Sequence, residues 1–328
     1  MDEEDKWAIA LEKNVELLFW NGGNDAKNLV VNGSGVRKDH KKVIVIGDIF
    51  GASDQGSTDI FDCETEQTEK GPAVFSMRLG AAVSNLPSGD VAVFGGYANN
   101  STSEPVSHCE RFKVADYSFS DIGYMNYRRH RAAAVLLRNG LVLIISGGCG
   151  TKILKSCELY DSVSNKFSMS AAVLKRERCG HTASALPDGR VIVCGGTGRP
   201  RFVTETEIYD PTTDSFSDGP IMIFGHSYHA AITLPNGNIL ILDGTEYEYP
   251  HSEVYDWQKN EFSVESRIAS SESGHFAAML PTGKILIGGG VSDEVKAVSS
   301  NLYDPQSNSY KQSVTLTTNK IYAFACQY

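Results

Sequence analysis

The side chains best suited to recognition chemistry are basic residues, which gather in short groups in the middle of the chain. The residues concerned are Arg78, Arg128, Arg129, Arg131, Lys175, Arg176, Arg178, Arg199 and Arg201. A guanidinium group can grip a carboxylate through two parallel hydrogen bonds, so these residues suit an acidic peptide or another anionic ligand. The alternative interpretation is a solvated surface on which each basic side chain pairs with a neighbouring carboxylate.

A second set of residues is acidic and aromatic. Tyr247 and Tyr249 alternate with glutamates in residues 246–249, and His226 and Glu272 stand where other copies of a sequence repeat, described below, carry arginine. Arginine and tyrosine are the residue types that most often anchor protein interfaces. We therefore predict that the basic and the acidic sets together form a surface that binds a partner.

The histidines show a different pattern, because three of them share one position of the repeat. His181, His229 and His275 hold this position, and two other copies have Ala81 and Ala132 there. Repetition through the fold favours a structural role over metal binding, which remains the alternative. The sequence contains no nucleotide-binding loop, no Gly-x-Ser-x-Gly motif and no His-Glu-x-x-His motif. We predict no catalytic residue, no metal and no cofactor.

The elements that must position these residues are short apolar segments that repeat along the chain. A glycine pair, or a Gly/Asp variant of it, begins at residues 47, 95, 147, 195, 243 and 289, with steps of 46 to 52 residues. An aromatic residue follows each pair, at Phe61, Phe112, Tyr160, Tyr209, Tyr255 and Tyr303. A second aromatic comes seven residues later in five copies, at Phe119, Phe167, Phe216, Phe262 and Tyr310. Short apolar runs separated by Gly, Pro and Asp indicate strands and tight turns.

Taken together, the Leu-Pro-x-Gly turn, the glycine pair after an aliphatic strand and the Tyr-Asp motif followed by an aromatic resemble kelch repeats. The clearest copy is residues 178–216, and the resemblance covers roughly residues 43–310. It implies an all-β, six-bladed kelch-type β-propeller with four-stranded blades. The second aromatic, usually Trp in kelch repeats, is Phe or Tyr here. The third copy has one additional residue before its glycine pair, which suggests a β-bulge.

The repeat also predicts the domain organisation. We assign residues 36–328 to a single six-bladed propeller and residues 1–35 to an N-terminal extension that adds a strand in one interpretation. The first copy lacks its own first strand, and residues 320–328 read as a strand where the next copy would begin. We expect this C-terminal strand to pair inside the first blade and close the ring. The alternatives are closure by residues 28–32 and an incomplete seventh blade from residues 15–32.

Strand direction predicts which loops share a face. With strands a to d numbered from the axis outward, the a–b and c–d turns lie on one face and the b–c and d–a connections on the other. The a–b turns are nearly uniform and serve as scaffold, whereas the other connections vary, as binding loops do. The predicted partner-binding residues fall in the variable connections, which define the b–c/d–a face.

Composition limits the class of partner. The formal net charge is −10, which argues against nucleic acid. Residues 124–201 carry 13 Lys/Arg and 4 Asp/Glu, whereas residues 202–328 carry 6 and 16, so the ring has a basic arc and an acidic arc. No apolar run approaches the length of a membrane span, and the acidic start does not resemble a signal peptide. The seven cysteines lack CxxC spacing, which favours a reducing, cytoplasmic location.

Kelch propellers commonly hold protein partners, so the resemblance implies a non-enzymatic adaptor or scaffold. We expect the b–c/d–a face to bind a protein partner through an acidic segment. The alternative is a carbohydrate-active or metal-dependent propeller enzyme, similar to galactose oxidase or sialic acid mutarotase. The galactose oxidase chemistry needs a copper site of two Tyr and two His with a Cys–Tyr crosslink, a pattern that the positions of these cysteines do not favour.

Overall fold

The structure, a computed structural model, describes residues 42–48, 58–75, 79–97, 104–198, 202–242, 244, 252–265, 273–291, 299–305, 307, 309–315 and 321–327. These residues form six four-stranded antiparallel sheets and contain no helix. The sheets are the blades of a six-bladed β-propeller, which confirms the predicted fold. No helix capable of crossing a membrane is found in these ranges. The predicted N-terminal extension, residues 1–35, lies outside them.

Each blade contributes one strand to each of four positions, counted from the axis. In blades one to six, strands a span Ile321–Gln327, Ala82–Asn85, Ala133–Leu136, Thr182–Ala185, Ala230–Thr233 and Ser273–Met279. Strands b span Lys42–Asp48, Val91–Phe94, Leu141–Ile145, Val191–Cys194, Ile239–Leu242 and Ile285–Val291. Strands c span Thr58–Asp62, His108–Lys113, Ser156–Asp161, Glu205–Asp210, Glu253–Asp256 and Ser299–Asp304. Strands d span Gln67–Lys70, Ser118–Tyr124, Lys166–Val173, Ser215–Ile221, Glu261–Val264 and Ser309–Thr315.

The C-terminal strand closes the ring, as predicted. Ile321–Gln327 pairs antiparallel with Lys42–Asp48, with Val45 opposite Ala325, and so becomes strand a of the first blade. It also contacts the strands a of blades two and six. Closure by the last strand removes the open sheet edge that an unclosed array of blades would expose.

The hydrophobic core consists of six layers, one between each pair of neighbouring blades. Between blades three and four, Leu143 and Ile145 pack with Val191, Val193 and Tyr209. The strands b of blades two, four and five are covered on both faces by the adjacent blades, so each reads as a continuous apolar run without alternation. The first aromatic of each repeat belongs to these layers. In blades two to five its ring contacts that of the second aromatic, as Tyr160 contacts Phe167 at 4.6 Å between ring centroids.

The Asp residues that follow the strand c aromatics form turns, as the sequence indicated. Asp161 accepts a hydrogen bond from the Val163 amide at 2.9 Å, and Asp210 accepts one from the Thr212 amide at 2.8 Å. Hydrogen bonds from the Ser164 and Thr212 hydroxyls, and then those from the amides, hold the pKa of the Asp161 and Asp210 carboxyls below the usual range. The turns are on the face opposite the predicted binding loops.

The glycine pairs are explained by the approach of the next blade. Gly95 and Gly96 have positive φ angles of 63° and 90°, and a Cβ at Gly95 would lie 2.3 Å from the Arg129 carbonyl oxygen. The Gly96 amide donates to the same carbonyl at 2.7 Å. The d–a connection of one blade therefore lies directly against the end of strand b of the preceding blade, and side chains are excluded there.

The third blade differs from the sequence-based expectation. Its strands pair a–b and b–c without a register shift, so the predicted β-bulge is wrong. Ser146, at φ 56°, occupies the position of the first glycine, and its hydroxyl lies within hydrogen-bond distance of the Leu154 and Arg178 carbonyl oxygens, at 2.6 and 2.7 Å. Gly147 is thus the second member of the pair. The b–c connection of this blade also contains a small hairpin, Gly148–Cys149 with Lys152–Ile153.

Candidate functional site

One position of the repeat, three residues before Ala132, His181 and His229, carries a buried basic or imidazole side chain. Arg129, Arg178 and His226 hold this position in blades three, four and five, and all three have no exposed surface. We predicted them to contact a partner from the b–c/d–a face. Burial removes them from any such contact, so this assignment is corrected: their side chains hold the d–a connections onto the blades.

Arg129 shows how the buried position works. Its guanidinium lies 3.2 Å from Glu158 on strand c of the same blade and donates to the Ser146 and Ser156 carbonyls at 2.7 and 2.8 Å. Glu158, also fully buried, accepts hydrogen bonds from the backbone amides of Asn126 and Tyr127 at 2.6 and 3.0 Å. A buried ion pair is stabilising only when such additional hydrogen bonds satisfy both charges.

The same arrangement recurs in the next two blades. Arg178 donates to Glu207 at 2.8 Å, and Glu207 accepts from the Lys175 amide at 2.7 Å. His226 lies 2.9 Å from Glu253, which accepts from two amides of its own d–a connection. The sequence contained a signal for these pairs, because a glutamate stands two residues before the strand c aromatic in four copies: Glu110, Glu158, Glu207 and Glu253.

Three of the predicted basic residues do lie on the surface of the b–c/d–a face. Arg128 is exposed with its guanidinium 4.0 Å from Glu104, Lys175 pairs with Asp218 at 2.6 Å, and Arg176 pairs with Glu205 at 2.6 Å. Each cation thus has a carboxylate neighbour, as the alternative interpretation of the sequence required. Exposed pairs of this kind contribute only about 0–1 kcal/mol, so a partner's carboxylate can compete for them.

Exposed apolar side chains accompany these cations at the ends of strands d, and the sequence analysis did not identify them. Tyr124, Val173 and Ile221 hold this place in blades two, three and four, and Tyr127 and Ile223 follow within the d–a connections. Tyr124 and Ile221 are 66% and 67% exposed. Their position in the repeat could have identified them, because no neighbouring blade covers an apolar residue at the end of the outermost strand. We call these five residues the outer rim.

At the centre of the same face, blades two to five each place one residue in the left-handed conformation. Gly80, Arg131, Gly180 and Tyr228 have φ angles of 66°, 54°, 66° and 55°. Their backbones form a chain of hydrogen bonds around the axis: Arg131 N to Gly80 O at 2.6 Å, Gly180 N to Arg131 O at 2.9 Å and Tyr228 N to Gly180 O at 2.8 Å. An arginine and a tyrosine with positive φ are uncommon and indicate a constrained position.

Arg131 and Tyr228 meet across Gly180, although they belong to blades three and five. The Arg131 guanidinium donates to the Tyr228 hydroxyl at 2.6 Å and lies 4.7 Å from the centre of its ring. A side chain at Gly180 would collide with this ring, since a Cβ there would be 2.9 Å from it. Of the predicted basic residues that the structure describes, Arg131 is therefore the one placed at the mouth of the central axis.

Behind this mouth lies an axial cavity of about 210 Å³. The cavity exists because strands a carry small residues such as Ala133 and Ala183 where they face the axis. His181, His229 and His275 also belong to its lining. The structural role predicted for these histidines agrees with their burial in the inner strands. Burial, and then the charge of Arg178, lowers the pKa of His181 to about 3, so its imidazole is neutral.

The remaining predicted site residues lie outside the described part of the chain: Arg78, Arg199, Arg201, Tyr247, Tyr249 and Glu272. Within the described part, no group of three or more His, Cys, Asp or Glu side chains is placed to hold a metal ion. The cysteines whose side chains the structure describes are free thiols: Cys63, Cys109, Cys149, Cys157, Cys179 and Cys194.

Comparison with known proteins agrees with this geometry. The family model of the kelch motif matches residues 178–223, which contain the whole of the fourth blade. No curated protein matches the sequence.

Many solved structures share the fold, and two of them show the range. The structure of YjhT aligns with a TM-score of 0.63 and 12% identity over 77% of this chain and 87% of that chain. A novel fungal alcohol oxidase with catalytic diversity among the AA5 family, in complex with copper, aligns with a TM-score of 0.58 and 15% identity over 80% of this chain and 60% of that chain. At this level of identity, both show a common propeller architecture and nothing further about the chemistry of this chain.

Proposed function

Because this chain is a kelch-repeat β-propeller, we propose that it is a non-enzymatic interaction module, an adaptor that holds a protein partner on its b–c/d–a face. One observation carries the proposal: on this face the outer rim places exposed aromatic and aliphatic side chains beside Arg128, Lys175 and Arg176. Apolar contacts supply affinity at such a surface, and the cations select the partner's charge.

The chemistry of the rim defines the segment that would fit it. Tyr124, Val173 and Ile221 offer apolar contacts about the edges of blades two to four, and the neighbouring cations are already within reach of carboxylates. The apolar residues of an acidic segment would cover the rim side chains, and its carboxylates would replace Asp218 and Glu205 as partners of Lys175 and Arg176. Exchange of one carboxylate for another costs little, because the internal pairs are exposed to solvent.

A capture experiment tests this assignment. Wild-type protein and a Tyr124→Ser/Val173→Ser/Ile221→Ser variant are immobilised, and the bound proteins are identified by mass spectrometry and titrated after purification. We expect the variant to lose at least about tenfold in affinity, since each buried anchor contributes about 1 kcal/mol or more. Val163→Ser is the matched control, because Val163 is 88% exposed but lies in a c–d turn on the opposite face.

Two outcomes would contradict the proposal. Equal recovery of the same partners by the rim variant and by wild type would exclude the rim as the contact surface. An affinity that does not weaken as the salt concentration rises would exclude the contribution of Arg128, Lys175 and Arg176, because interactions between exposed charges are screened.

The alternative function, an enzyme similar to galactose oxidase or sialic acid mutarotase, makes a different prediction. Purified protein would then contain a stoichiometric metal such as copper, or would turn over a carbohydrate substrate. Metal analysis by mass spectrometry and an assay of carbohydrate turnover together separate the two functions, since either a stoichiometric transition metal or turnover would overturn the adaptor proposal.

We also propose that the protein acts in the cytoplasm. Cys63, Cys157 and Cys194 are buried free thiols, and burial raises the pKa of each to about 12. Thiols used in this way as small apolar core residues suit a reducing compartment. Cell fractionation with an antibody against the protein tests the location, and recovery in the secreted fraction would refute it.

A further inference from the structure

The apolar surface of the outer rim continues toward the start of the chain. Phe75, in the d–a connection that leads into blade two, is 63% exposed, and its amide donates to Glu110 at 2.8 Å. The Tyr127 amide makes the equivalent hydrogen bond to Glu158 one blade further on. Exposed apolar side chains therefore stand at four successive d–a connections of the b–c/d–a face, and a series of this extent is typical of a surface that is covered by another segment.

Residues 1–20 of the same chain have the composition that this surface fits. The six sheets take all of their strands from residues 42–327, so residues 1–20 are additional to the ring. This segment carries 6 Asp/Glu and 2 Lys, a net charge of −4. It also contains eight large apolar residues: Trp7, Ile9, Leu11, Val15, Leu17, Leu18, Phe19 and Trp20. The outer rim lies in the arc where Lys/Arg outnumber Asp/Glu by 13 to 4, so segment and surface are complementary in charge and in apolar character.

The chain enters the ring close enough for this contact. Lys42, the first residue of strand b of blade one, has its Nζ 5.5 Å from the centre of the Tyr117 ring in blade two. Tyr117 directly precedes the strand Ser118–Tyr124, which ends at the outer rim, so the rim is about 20 Å away along this strand. Residues 21–41 can span up to about 70 Å when extended, which is enough to carry residues 1–20 around the edge of blade two.

We propose that residues 1–20 dock on the outer rim in the free protein and that a protein partner displaces them. Their apolar side chains cover the rim and Phe75, and their carboxylates lie beside Arg128, Lys175 and Arg176. A segment tethered by a linker that spans the distance to its site has an effective concentration in roughly the millimolar range, so weak contacts are enough to occupy the rim. The displacement rests on the function proposed above, whereas the docking does not.

The first test uses the full chain with a photoreactive side chain in the segment, Phe19→p-benzoylphenylalanine. After illumination, peptide mapping by mass spectrometry should place the crosslinks on the b–c/d–a face of blades two to four. The additional changes Tyr124→Ser/Val173→Ser/Ile221→Ser should lower the crosslink yield at least about threefold, because three anchors are lost. Val163→Ser, on the opposite face, is the matched control and should leave the yield unchanged. A mixture of isotopically labelled and unlabelled copies shows whether the crosslinks form within one chain.

The second test needs no substitution in the ring. A peptide of residues 1–20 is titrated into a chain that begins at residue 21, which retains every described residue. We expect one peptide to bind per chain, more weakly as the salt concentration rises, and at least about tenfold more weakly to the full chain, whose rim is already occupied. A control peptide that keeps the apolar residues should bind at least about fivefold more weakly, because its first four carboxylates are neutralised by Asp2→Asn, Glu3→Gln, Glu4→Gln and Asp5→Asn.

The docking is overturned if the crosslinks map to the face of the a–b and c–d turns, if they join only different copies, or if the peptide does not bind up to about 1 mM. It is also overturned if the neutralised peptide binds as tightly as the natural one. Partner capture tests the displacement separately, since the chain that begins at residue 21 should bind the partner at least about tenfold more tightly than the full chain. Equal affinity of the two chains for the partner overturns the displacement, whereas crosslinks to the rim without any captured partner contradict the adaptor function alone.

Discussion

The buried pair of Arg129 and Glu158 allows a quantitative test of the structural role of the buried arginines. The perturbation is Arg129→Met, which keeps most of the side-chain volume and removes the charge. Glu158 would then keep its backbone donors but lose its counter-ion, and the carbonyls of Ser146 and Ser156 would lose the guanidinium donors that now reach them at 2.7 and 2.8 Å.

The expected loss follows from the burial of both groups. Removal of one partner of a fully buried ion pair costs about 3–5 kcal/mol, because the other charge is left without compensation. At about 2.1 cal/mol/K per residue, a propeller of roughly 290 residues has an unfolding entropy near ~0.6 kcal/mol/K, so Tm should fall by about 5–8 °C. The matched control is Arg128→Met, whose side chain is 59% exposed and should change Tm by less than about 2 °C.

The assay is thermal unfolding followed by circular dichroism, with Glu158→Gln and the double variant completing a cycle. The double variant should be more stable than the sum of the two single changes by about 0.5–3 kcal/mol, since Arg129 and Glu158 share one network. A Tm for Arg129→Met within about 1 °C of that for Arg128→Met would refute the structural assignment. Charge reversal of Arg129 or Arg178 is for the same reason a test of stability and not of partner binding.

Three further predictions concern the scaffold. Burial lowers the pKa of His181 to about 3 and that of His229 well below the usual 6.5. Below pH 6.5 the unfolded chain therefore binds more protons than the folded one, and the free energy of unfolding decreases by about 1.4 kcal/mol per histidine for each unit by which the pH is lowered. His181→Ala should flatten this dependence in urea unfolding between pH 6.5 and 4, and an unchanged slope would contradict the shift. Deletion of residues 320–328 should expose a sheet edge and lower Tm or solubility sharply, and a truncated chain as stable as wild type would show that this strand does not close the ring. Gly95→Ala should cost at least about 2 kcal/mol more than Gly89→Ala, because both glycines have positive φ but only a Cβ at Gly95 would meet backbone, at 2.3 Å; equal losses would refute the steric explanation.

The sequence predicted most of the fold because blade structure is local and repeated. The apolar strands b, the glycine pairs and the stacked aromatics recur at nearly constant spacing, and each marks a contact within a blade or with its immediate neighbour. The role of residues 320–328 could also be predicted, since the first copy lacked the strand that these residues supply. The β-bulge predicted for the third blade was wrong because Ser146 takes the place of the first glycine, and spacing alone does not show which residue has the positive φ angle.

For the candidate site, the sequence determined the face and the residue types, and the tertiary structure decided which of them are accessible. Arg128 and Arg129 are neighbours in the chain, yet one is exposed beside Glu104 and the other is enclosed with Glu158 from a strand 29 residues away. Burial depends on what other segments cover a side chain, and a pattern of residue types does not contain that information. The meeting of Arg131 with Tyr228, 97 residues apart, exists for a similar reason: only the closure of six blades into a ring brings their inner strands to one axis.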